Sequence, residues 1–257
     1  MKLTQEQFDK IARYLPLQRG NVRISNIELI NAIIYVTENG CKWRALPKEY
    51  GNWHTIYVRM NRWSKNGTLR RLFEALQLEN IIRIKMESIC LDSTTSKVHP
   101  DGTGFVKKNG KQSIGRSRGG LTTKIHMVTA SDRSVVDFRL SPGNYHDAPQ
   151  GRQLLSTIRR DDNHRFLIMD KAYEGDNTRN LAICLGYIPI VPPKSDRKDP
   201  WEYDKQLYKK RNEIERYFLR IKRFRRIFTR YDKLDIMFTG FILFAMVIDT
   251  IISVNRL

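Results

Sequence analysis

Three acidic residues have the types and spacing that metal-assisted chemistry at phosphorus requires. Asp92 follows the apolar run Ser88–Leu91, and Asp170 follows the apolar run Phe166–Met169. Each run predicts a short buried strand that ends at its acid, and the carboxyl ends of strands are where α/β sheets present ligand-binding groups. A single acid in such a position is usually a turn former, but two of them in one basic chain favour a site.

Glu215 is the candidate for a third carboxylate, in a long helix that we predict to begin near residue 205. At about 100° per residue, one stripe about 60° wide carries Tyr208, Arg211, Glu215 and Lys222. The neighbouring Glu213 points about 140° away from Tyr208 on the same geometry. Twelve Lys and Arg residues lie between positions 205 and 233. They would repel one another in an isolated helix, which weakens the alternative of an ordinary salt-bridged surface.

A set of carboxylates without histidine or cysteine suits hard divalent ions. Two such ions about 3.5–4 Å apart activate the attacking oxygen and stabilise the leaving oxygen in an in-line displacement at phosphorus. Asp92, Asp170 and Glu215 therefore predict a site for two Mg²⁺ ions, with Mn²⁺ as an expected substitute. The five histidines show no metal-ligand spacing.

The overall charge indicates a polyanionic partner. Lys and Arg number 46 against 27 Asp and Glu, which gives a formal net charge of +19. Such an excess repels itself in a compact chain, and nucleic acid is the commonest partner because phosphate contacts release counterions. A generically basic soluble protein is the alternative. The three cysteines lie far apart, so neither a disulfide framework nor a zinc ribbon is indicated, and a reducing cytosol fits.

The first 80 residues predict a small helical domain. Capping boxes at Thr4–Gln7 and Ser25–Glu28 precede apolar patterns, and Gly40 is a predicted helix stop. A further helix, from Trp53 to Lys65, has an aromatic face and a basic face, and we expect DNA contacts from Arg59, Arg62 and Lys65. Helix, turn and helix with a basic outer face suit a helix-turn-helix DNA reader. A small helical bundle with an ordinary solvated face is an equally good interpretation.

The rest of the chain predicts a mixed α/β fold whose order, three strands, helix, strand, helix, strand and helix, resembles that of RNase H-like nucleases. A polar, glycine-rich loop is predicted from about 97 to 120. Besides the two strands that precede the acids, the predicted strands are Thr122–Thr129 and Val135–Leu140, joined by a turn at Ser131–Arg133, and Tyr187–Val191. Predicted helices are His146–Ile158, about 176–185 and the long one. We thus predict a helix-turn-helix-like DNA-binding domain over 1–82 and an RNase H-like catalytic domain over 83–257.

The segment from Ile236 to Val254 is nearly long and apolar enough to cross a membrane. Asp249 interrupts it, and a membrane helix would leave the basic bulk of the chain on one side of the bilayer. A buried core helix is therefore the favoured interpretation, and no membrane partner is expected.

Two polar segments have more than one interpretation. Gly115–Gly120 places Arg116 and Arg118 among glycines, which lets the backbone approach a phosphate, but a plain flexible loop agrees equally well with the residue types. Asp147 either supports the acidic site from behind or caps the helix that follows, and the helix cap is the simpler interpretation.

Three motifs together resemble the DDE transposases of bacterial insertion sequences. They are Leu91-Asp92-Ser93-Thr94, Met169-Asp170-Lys171-Ala172-Tyr173 and Tyr208-x-x-Arg211-x-x-x-Glu215 followed after six residues by Lys222. The last matches that superfamily's signature at every spacing. Three segments resemble the family numbered five within it: Trp43-Arg44-x-Leu46-Pro47, Gly115 to Lys124, and Arg230-Tyr231-Asp232-Lys233-Leu234. The resemblance covers about residues 5–250.

The resemblance implies a metal-binding catalytic triad of Asp92, Asp170 and Glu215. It also implies DNA contacts near the cleaved phosphate from Tyr208, Arg211 and Lys222, and we expect others from Arg116, Arg118 and Lys124. Only 44 residues separate Asp170 from Glu215, so the large inserted β-domain of some relatives is not expected. The base-flipping role of that β-domain is therefore not expected here, and Trp201 is the candidate substitute for it.

The implied reaction has two stages, in which cleavage at the element's ends frees a 3′-hydroxyl and that hydroxyl then attacks target DNA. The expected partners are end DNA, target DNA and a second copy of the chain, because two ends must be paired. The residues alone support only phosphodiester chemistry. The alternatives are a non-catalytic DNA-binding protein and a nuclease of the same fold that does not transfer strands.

Overall fold

The computed structural model describes residues 1–83, 87–103, 110–130, 134–160 and 162–254. The chain forms two compact units. The first comprises residues 1–78, 97–112 and 221–257, and the second comprises residues 79–96 and 113–220. The turn predicted at Ser131–Arg133 lies outside the described residues. The division at residue 82 into a DNA-binding and a catalytic domain concerns function and stays a prediction.

The helices of the first unit begin where their sequence caps predict. α1 (Gln5–Ala12) and α2 (Asn26–Asn39) each start with a complete capping box. The cap hydroxyl accepts from the third helical N–H, and the third side chain accepts from the N–H of the cap residue, which satisfies two donors that a helix leaves open. Gly40 ends α2 in the left-handed conformation at φ 64°, where glycine has no Cβ to clash.

The apolar segment near the C-terminus forms the core of the first unit. It is the helix α10 (Asp235–Val254), which packs against α1, α2 and α3 (Trp53–Lys65). Its length and composition would suit a membrane span, but most of its surface is buried inside the protein, including Phe238 and Phe241. The prediction of a buried core helix is therefore confirmed. The other elements of this unit are α4 (Thr68–Arg83), whose last residues from 79 onward belong to the second unit, the short α9 (Arg225–Phe228) and β7 (Thr229–Arg230).

The second unit contains a mixed sheet. Its strands are β1 (Ser88–Val98), β2 (Gly115–Ser117), β3 (Gly120–Thr129), β4 (Val135–Pro142), β5 (Phe166–Met169) and β6 (Ile188–Ile190). Their order is β2-β3-β1-β5-β6, with β4 also on β3. β1, β5 and β6 run parallel, whereas β2, β3 and β4 form antiparallel pairs. The helices are α5 (Asp147–Leu155), α6 (Asp176–Cys184), α7 (Lys205–Tyr208) and α8 (Asn212–Ile221). The predicted mixed α/β, RNase H-like fold class is confirmed, but four strands rather than three precede α5, because β2 lies in a segment predicted as a loop.

Apolar side chains of β1 and β5 hold this sheet to its helices. Leu91, Leu167 and Met169 are fully buried in one cluster with residues of α5, such as Leu154. Burial of each such side chain stabilises the fold by about 1.5–3 kcal/mol, so this cluster fixes the register of the strands that carry the two aspartates.

Three predictions about single elements are wrong. β1 does not end before Asp92 but continues to Val98, because its polar, threonine-rich second half still pairs within the sheet, at its end with β7. The loop predicted from about 97 to 120 is interrupted by β2 (Gly115–Ser117), which forms a hairpin in which Ser117 pairs with Gly120.

The third correction concerns the helix predicted from residue 205. It is divided by a 3-10 turn at Lys209–Arg211, which separates α7 from α8, and α8 ends at Ile221. Lys222 thus lies beyond the helix and does not belong to the stripe predicted from an uninterrupted period of 3.6 residues per turn.

Candidate active site

Asp92 and Asp170 occupy equivalent places on two neighbouring parallel strands. Leu91 and Met169 form the last register pair between β1 and β5, so each aspartate is the next residue beyond that pair. β5 ends there, and Asp170 becomes the N-cap of a 3-10 turn, with its Oδ2 accepting from the Ala172 N–H at 3.4 Å. The parallel register therefore brings two carboxylates that are distant in sequence to the same end of the sheet.

Glu215 joins the two aspartates through the guanidinium of Arg211. Nη1 of Arg211 lies 3.0 Å from Asp92 Oδ2 and 3.8 Å from Asp170 Oδ1. Its Nη2 lies 2.6 Å from Glu215 Oε1, a contact between residues four apart that joins the end of the 3-10 turn to α8. One cation thus contacts all three carboxylates that the sequence singled out.

The environment of Asp92 disfavours its ionised form. Burial raises the pKa of Asp92 to about 6, and the carboxylates of Asp170 and Glu215 act in the same direction. The Ser93 N–H, 2.7 Å from Asp92 Oδ1, and the Arg211 guanidinium oppose the rise. A buried carboxylate among like charges gains free energy from any cation that it contacts, and in this structure the cation is Arg211.

The donor set suits a hard divalent ion, because all three side chains offer carboxylate oxygens. Within the described part of the chain, no three His, Cys, Asp or Glu side chains are arranged to hold one ion together. The guanidinium of Arg211 lies among the three acids instead. Its single positive charge supplies part of the compensation that a divalent ion would supply more fully.

The other two residues of the signature differ in their placement. The ring of Tyr208 lies 5.9 Å from the Arg211 guanidinium and packs edge-on against Tyr203, and burial raises the pKa of the Tyr208 hydroxyl. Lys222 belongs to the first unit, and burial lowers the pKa of its ammonium group. The second unit therefore brings together Tyr208, Arg211 and Glu215 without Lys222.

Asp147 supports the strand that carries Asp92. Its Oδ1 accepts from the Ser93 hydroxyl at 2.8 Å, and both of its oxygens accept from Lys124 Nζ at 3.0 Å. The prediction that Asp147 caps a helix is wrong, because His146 holds the N-cap position and Asp147 is the first residue of α5. From that position its side chain reaches β1 and β3.

A buried histidine completes this network. His126 Nδ1 lies 3.8 Å from Asp147 Oδ1, and its Nε2 shares a hydrogen bond of 2.7 Å with the Ser141 hydroxyl. Burial lowers the pKa of His126 to about 4, so the ring is neutral at pH 7. Sequence reasoning missed Ser93 as the link from this network to the site. Its position directly after Asp92 was the available signal.

The predicted DNA-binding residues of the second unit fall into two groups. Arg116 and Arg118 are exposed on the β2–β3 hairpin. Lys124 is mostly buried and bound to Asp147 and to the Tyr145 carbonyl, so it takes part in the polar network. In the first unit, Arg62 and Lys65 are exposed, whereas Arg59 is half-buried and bonded to backbone.

Trp201 is not placed as an open stacking surface. Its ring lies 3.5 Å from the Arg179 guanidinium and 4.5 Å from that of Arg197, and its Nε1 donates to the Val191 carbonyl at 2.8 Å. In this arrangement the ring packs against two cations and the N–H is bonded, so the suggestion that Trp201 substitutes for a base-flipping residue stays a prediction.

Comparison with known proteins places these residues in a family. Residues 83–249 match the model of the family described as "Transposase DDE domain", and residues 3–73 match that described as "Putative transposase of IS4/5 family". The chain is 33% identical over 123 residues to the "Putative transposase for insertion sequence element IS6501" of Brucella ovis. That match covers 48% of this chain and 92% of the relative.

Two solved structures are similar over much of the chain. The piggyBac transposase synaptic complex with hairpin DNA matches 75% of this chain and 47% of its own, at 9% identity and a TM-score of 0.39. A pre-cleavage Mos1 transpososome matches 96% and 84%, at 11% identity and a TM-score of 0.29. Both TM-scores lie below 0.5, so neither structure defines the geometry of this site.

Proposed function

Because this chain belongs to the family of transposases with a DDE domain, we propose that Asp92, Asp170 and Glu215 are the carboxylates with which it cleaves and joins DNA. The protein is a transposase, an enzyme of DNA transposition that depends on divalent metal ions. The observation that carries the assignment of the three acids is their shared contact with Arg211.

The three acids are proposed to hold two Mg²⁺ ions, for which Mn²⁺ substitutes, because their donor atoms are all carboxylate oxygens. When bound, such ions lower the pKa of the attacking hydroxyl and stabilise charge on the leaving oxygen. The raised pKa of Asp92 supports the same proposal, since a buried acid that ionises reluctantly is stabilised by added positive charge.

Cationic residues of the chain would hold the DNA during both stages of the reaction. Arg211 can offer a fork of N–H donors to a phosphate once the acids have another cation. Tyr208 packs beside it, and Lys222 is proposed to contact the same strand. In the first stage water displaces the 3′-oxygen of the element's end. In the second stage that 3′-hydroxyl displaces a 3′-oxygen in target DNA.

The proposed partners are the element's end DNA, target DNA and a second copy of the chain, because two ends must be processed together. Exposed Arg116 and Arg118 are candidates for further phosphate contacts, whereas the ammonium group of Lys124 is already paired with the Asp147 carboxylate. We place the reaction in the cytoplasm, at the nucleoid.

Alanine substitution of each acid tests the assignment. Full-length Asp92→Ala, Asp170→Ala and Glu215→Ala should lose Mg²⁺-dependent cleavage of end DNA, whereas Glu213→Ala should retain it. The assignment of Glu215 is wrong if Glu215→Ala cleaves and Glu213→Ala does not. Joining of a pre-cleaved end to target DNA separates a transposase from a nuclease that only cuts, and DNA binding without any cleavage would indicate a non-catalytic protein.

A further inference from the structure

The segment between α1 and α2 carries arginines that no acid neutralises. Residues 16–26 and one side of α3 line a groove of about 480 Å³ in the first unit. Its lining contains no Asp or Glu but four arginines, namely Arg19, Arg23, Arg59 and Arg62. A concave surface with one sign of charge concentrates the field of its cations and attracts an anionic ligand.

Side-chain hydrogen bonds hold this segment in one conformation. Gln18 donates to the Ile24 carbonyl at 3.0 Å and accepts from the Asn26 N–H at 2.9 Å. Asn26 in turn donates from its side chain to the Pro16 carbonyl at 3.1 Å. These bonds tie the two ends of the segment together. A surface that is already ordered loses less conformational entropy when a ligand binds.

Arg59 is part of that support. Its Nη1 donates to the Ile24 carbonyl at 2.6 Å, and its Nη2 donates to Asn26 Oδ1 at 2.6 Å. Its guanidinium also lies 5.9 Å from the ring of Trp63. Both terminal nitrogens of Arg59 thus bind the segment, which fixes it to α3 and places a half-buried positive charge at the floor of the groove.

The other three arginines extend into solvent around the groove. Arg19, Arg23 and Arg62 are exposed, and within the ranges that the structure describes they form no hydrogen bond or ion pair. Their charges add to that of Arg59 with no acid in the lining to compensate. A ligand with regularly spaced negative charges would remove this repulsion, and its own charges would be neutralised.

We infer that this groove binds the phosphate backbone of DNA, with Arg19, Arg23 and Arg62 on phosphates and Arg59 as the residue that positions the segment. The inference rests on the proposed function, which makes DNA the polyanion that this protein handles. The groove differs from the helix face predicted from the sequence, on which Arg59, Arg62 and Lys65 were all expected to contact DNA. Arg59 faces its own chain, and Lys65 does not line the groove.

Salt dependence of DNA binding tests the assignment residue by residue. The affinity of the full-length chain for a fluorescein-labelled duplex is measured by anisotropy over a range of salt concentrations. The slope of log K against log salt is negative, and each phosphate contact contributes about 0.9 to its magnitude. Arg19→Gln, Arg23→Gln and Arg62→Gln should therefore each reduce that magnitude by about 0.9. The magnitude of the slope should fall by about 2.7 in the triple variant, which corresponds to a loss of roughly 500-fold in affinity near 0.1 M salt.

Lys48→Gln is the matched control, because it removes one positive charge from an exposed residue of the same unit that does not line the groove. It should leave the slope unchanged. Arg59→Gln should instead lower the thermal unfolding temperature, which Arg62→Gln should not do, because only Arg59 bonds to the segment.

The inference is overturned if the folded triple variant keeps the wild-type slope, or if Lys48→Gln reduces the magnitude of the slope as much as Arg62→Gln does. In either case wild-type DNA binding and cleavage would still support the proposed function. A wild-type chain that binds no DNA would overturn both, so the two failures are distinguishable.

Discussion

Asp92→Asn is expected to stabilise the metal-free protein at neutral and alkaline pH. Burial raises the pKa of Asp92 from its ordinary 3.8 to about 6, a difference of about two units. Each unit corresponds to about 1.36 kcal/mol, so keeping Asp92 ionised costs the folded state about 3 kcal/mol above pH 6. The side chain is only 15% exposed, which leaves little screening by solvent.

The sign of the pH dependence follows from the direction of the shift. The folded chain binds the Asp92 proton more tightly than the unfolded chain, so this group lowers wild-type stability as pH rises from about 4 to about 6. Asparagine has the same shape and no charge to desolvate. It weakens the contact with Arg211, so the net gain should be about 1–3 kcal/mol at pH 8 and close to zero near pH 4.

Urea unfolding of both proteins in EDTA, from pH 4 to pH 8, measures this difference. The exposed control Glu49→Gln should stay within about 0.5 kcal/mol of wild type at every pH. Added Mn²⁺ should stabilise wild type more than Asp92→Asn, which reverses the order. If Asp92→Asn is instead less stable than wild type at pH 8 without metal, the Arg211 contact outweighs burial, and the three acids form a structural ion-pair cluster rather than a site that awaits a metal.

Three further substitutions test other parts of the structure. Arg211→Gln removes the cation that contacts all three acids, so the metal-free variant should melt at a lower temperature than wild type. Its rise in melting temperature on adding Mn²⁺ should exceed that of wild type. An equal or smaller rise would contradict this role of Arg211. Asp147→Asn should lower the free energy of unfolding in urea by about 1–3 kcal/mol, because the mostly buried Lys124 loses its partner. Adding Lys124→Met should recover part of that loss. If it recovers nothing, the ion pair does not account for the lost stability. Gly240→Ala should lower the free energy of unfolding by about 1–3 kcal/mol in the same assay, because the added Cβ would collide with the Ser64 side chain where α10 meets α3. Gly175→Ala is the control, because its added Cβ has no atom within 4 Å. Equal losses in the two variants would contradict the packing argument.

Local features of this protein could be predicted from the sequence because they depend on residues close together in the chain. The capping boxes of α1 and α2 and the stop at Gly40 need only neighbours three or four residues away. The strand that ends at Asp170 was visible as an apolar run between polar residues. The choice of Glu215 followed from helical geometry, since its contact with Arg211 spans a single turn.

The sequence was less informative where a long-range contact changes a local pattern. β1 continues past Asp92 because its second half finds partners in the sheet, although its composition resembles a loop. The helix from residue 205 tightens into a 3-10 turn and ends before Lys222. The stripe predicted from a regular helical period was therefore too long, because it included Lys222. Periodicity describes an isolated element, and packing decides where that element stops.

By itself the sequence determined the mixed α/β fold and the caps of α1 and α2, and it singled out the three acids that we propose as the site. Only the tertiary structure decided which side chains lie beside these acids and contact them. The parallel register of β1 and β5 sets Asp92 beside Asp170, the fold of α7 and α8 inserts Arg211 among the acids, and Asp147 meets Ser93 from a distant helix. In the same way only the structure shows that Arg59, a predicted DNA contact, donates to the Ile24 carbonyl of its own chain. The physical reason is that helix and strand periods arise from neighbours in sequence, whereas burial and charge pairing depend on residues that only folding brings together.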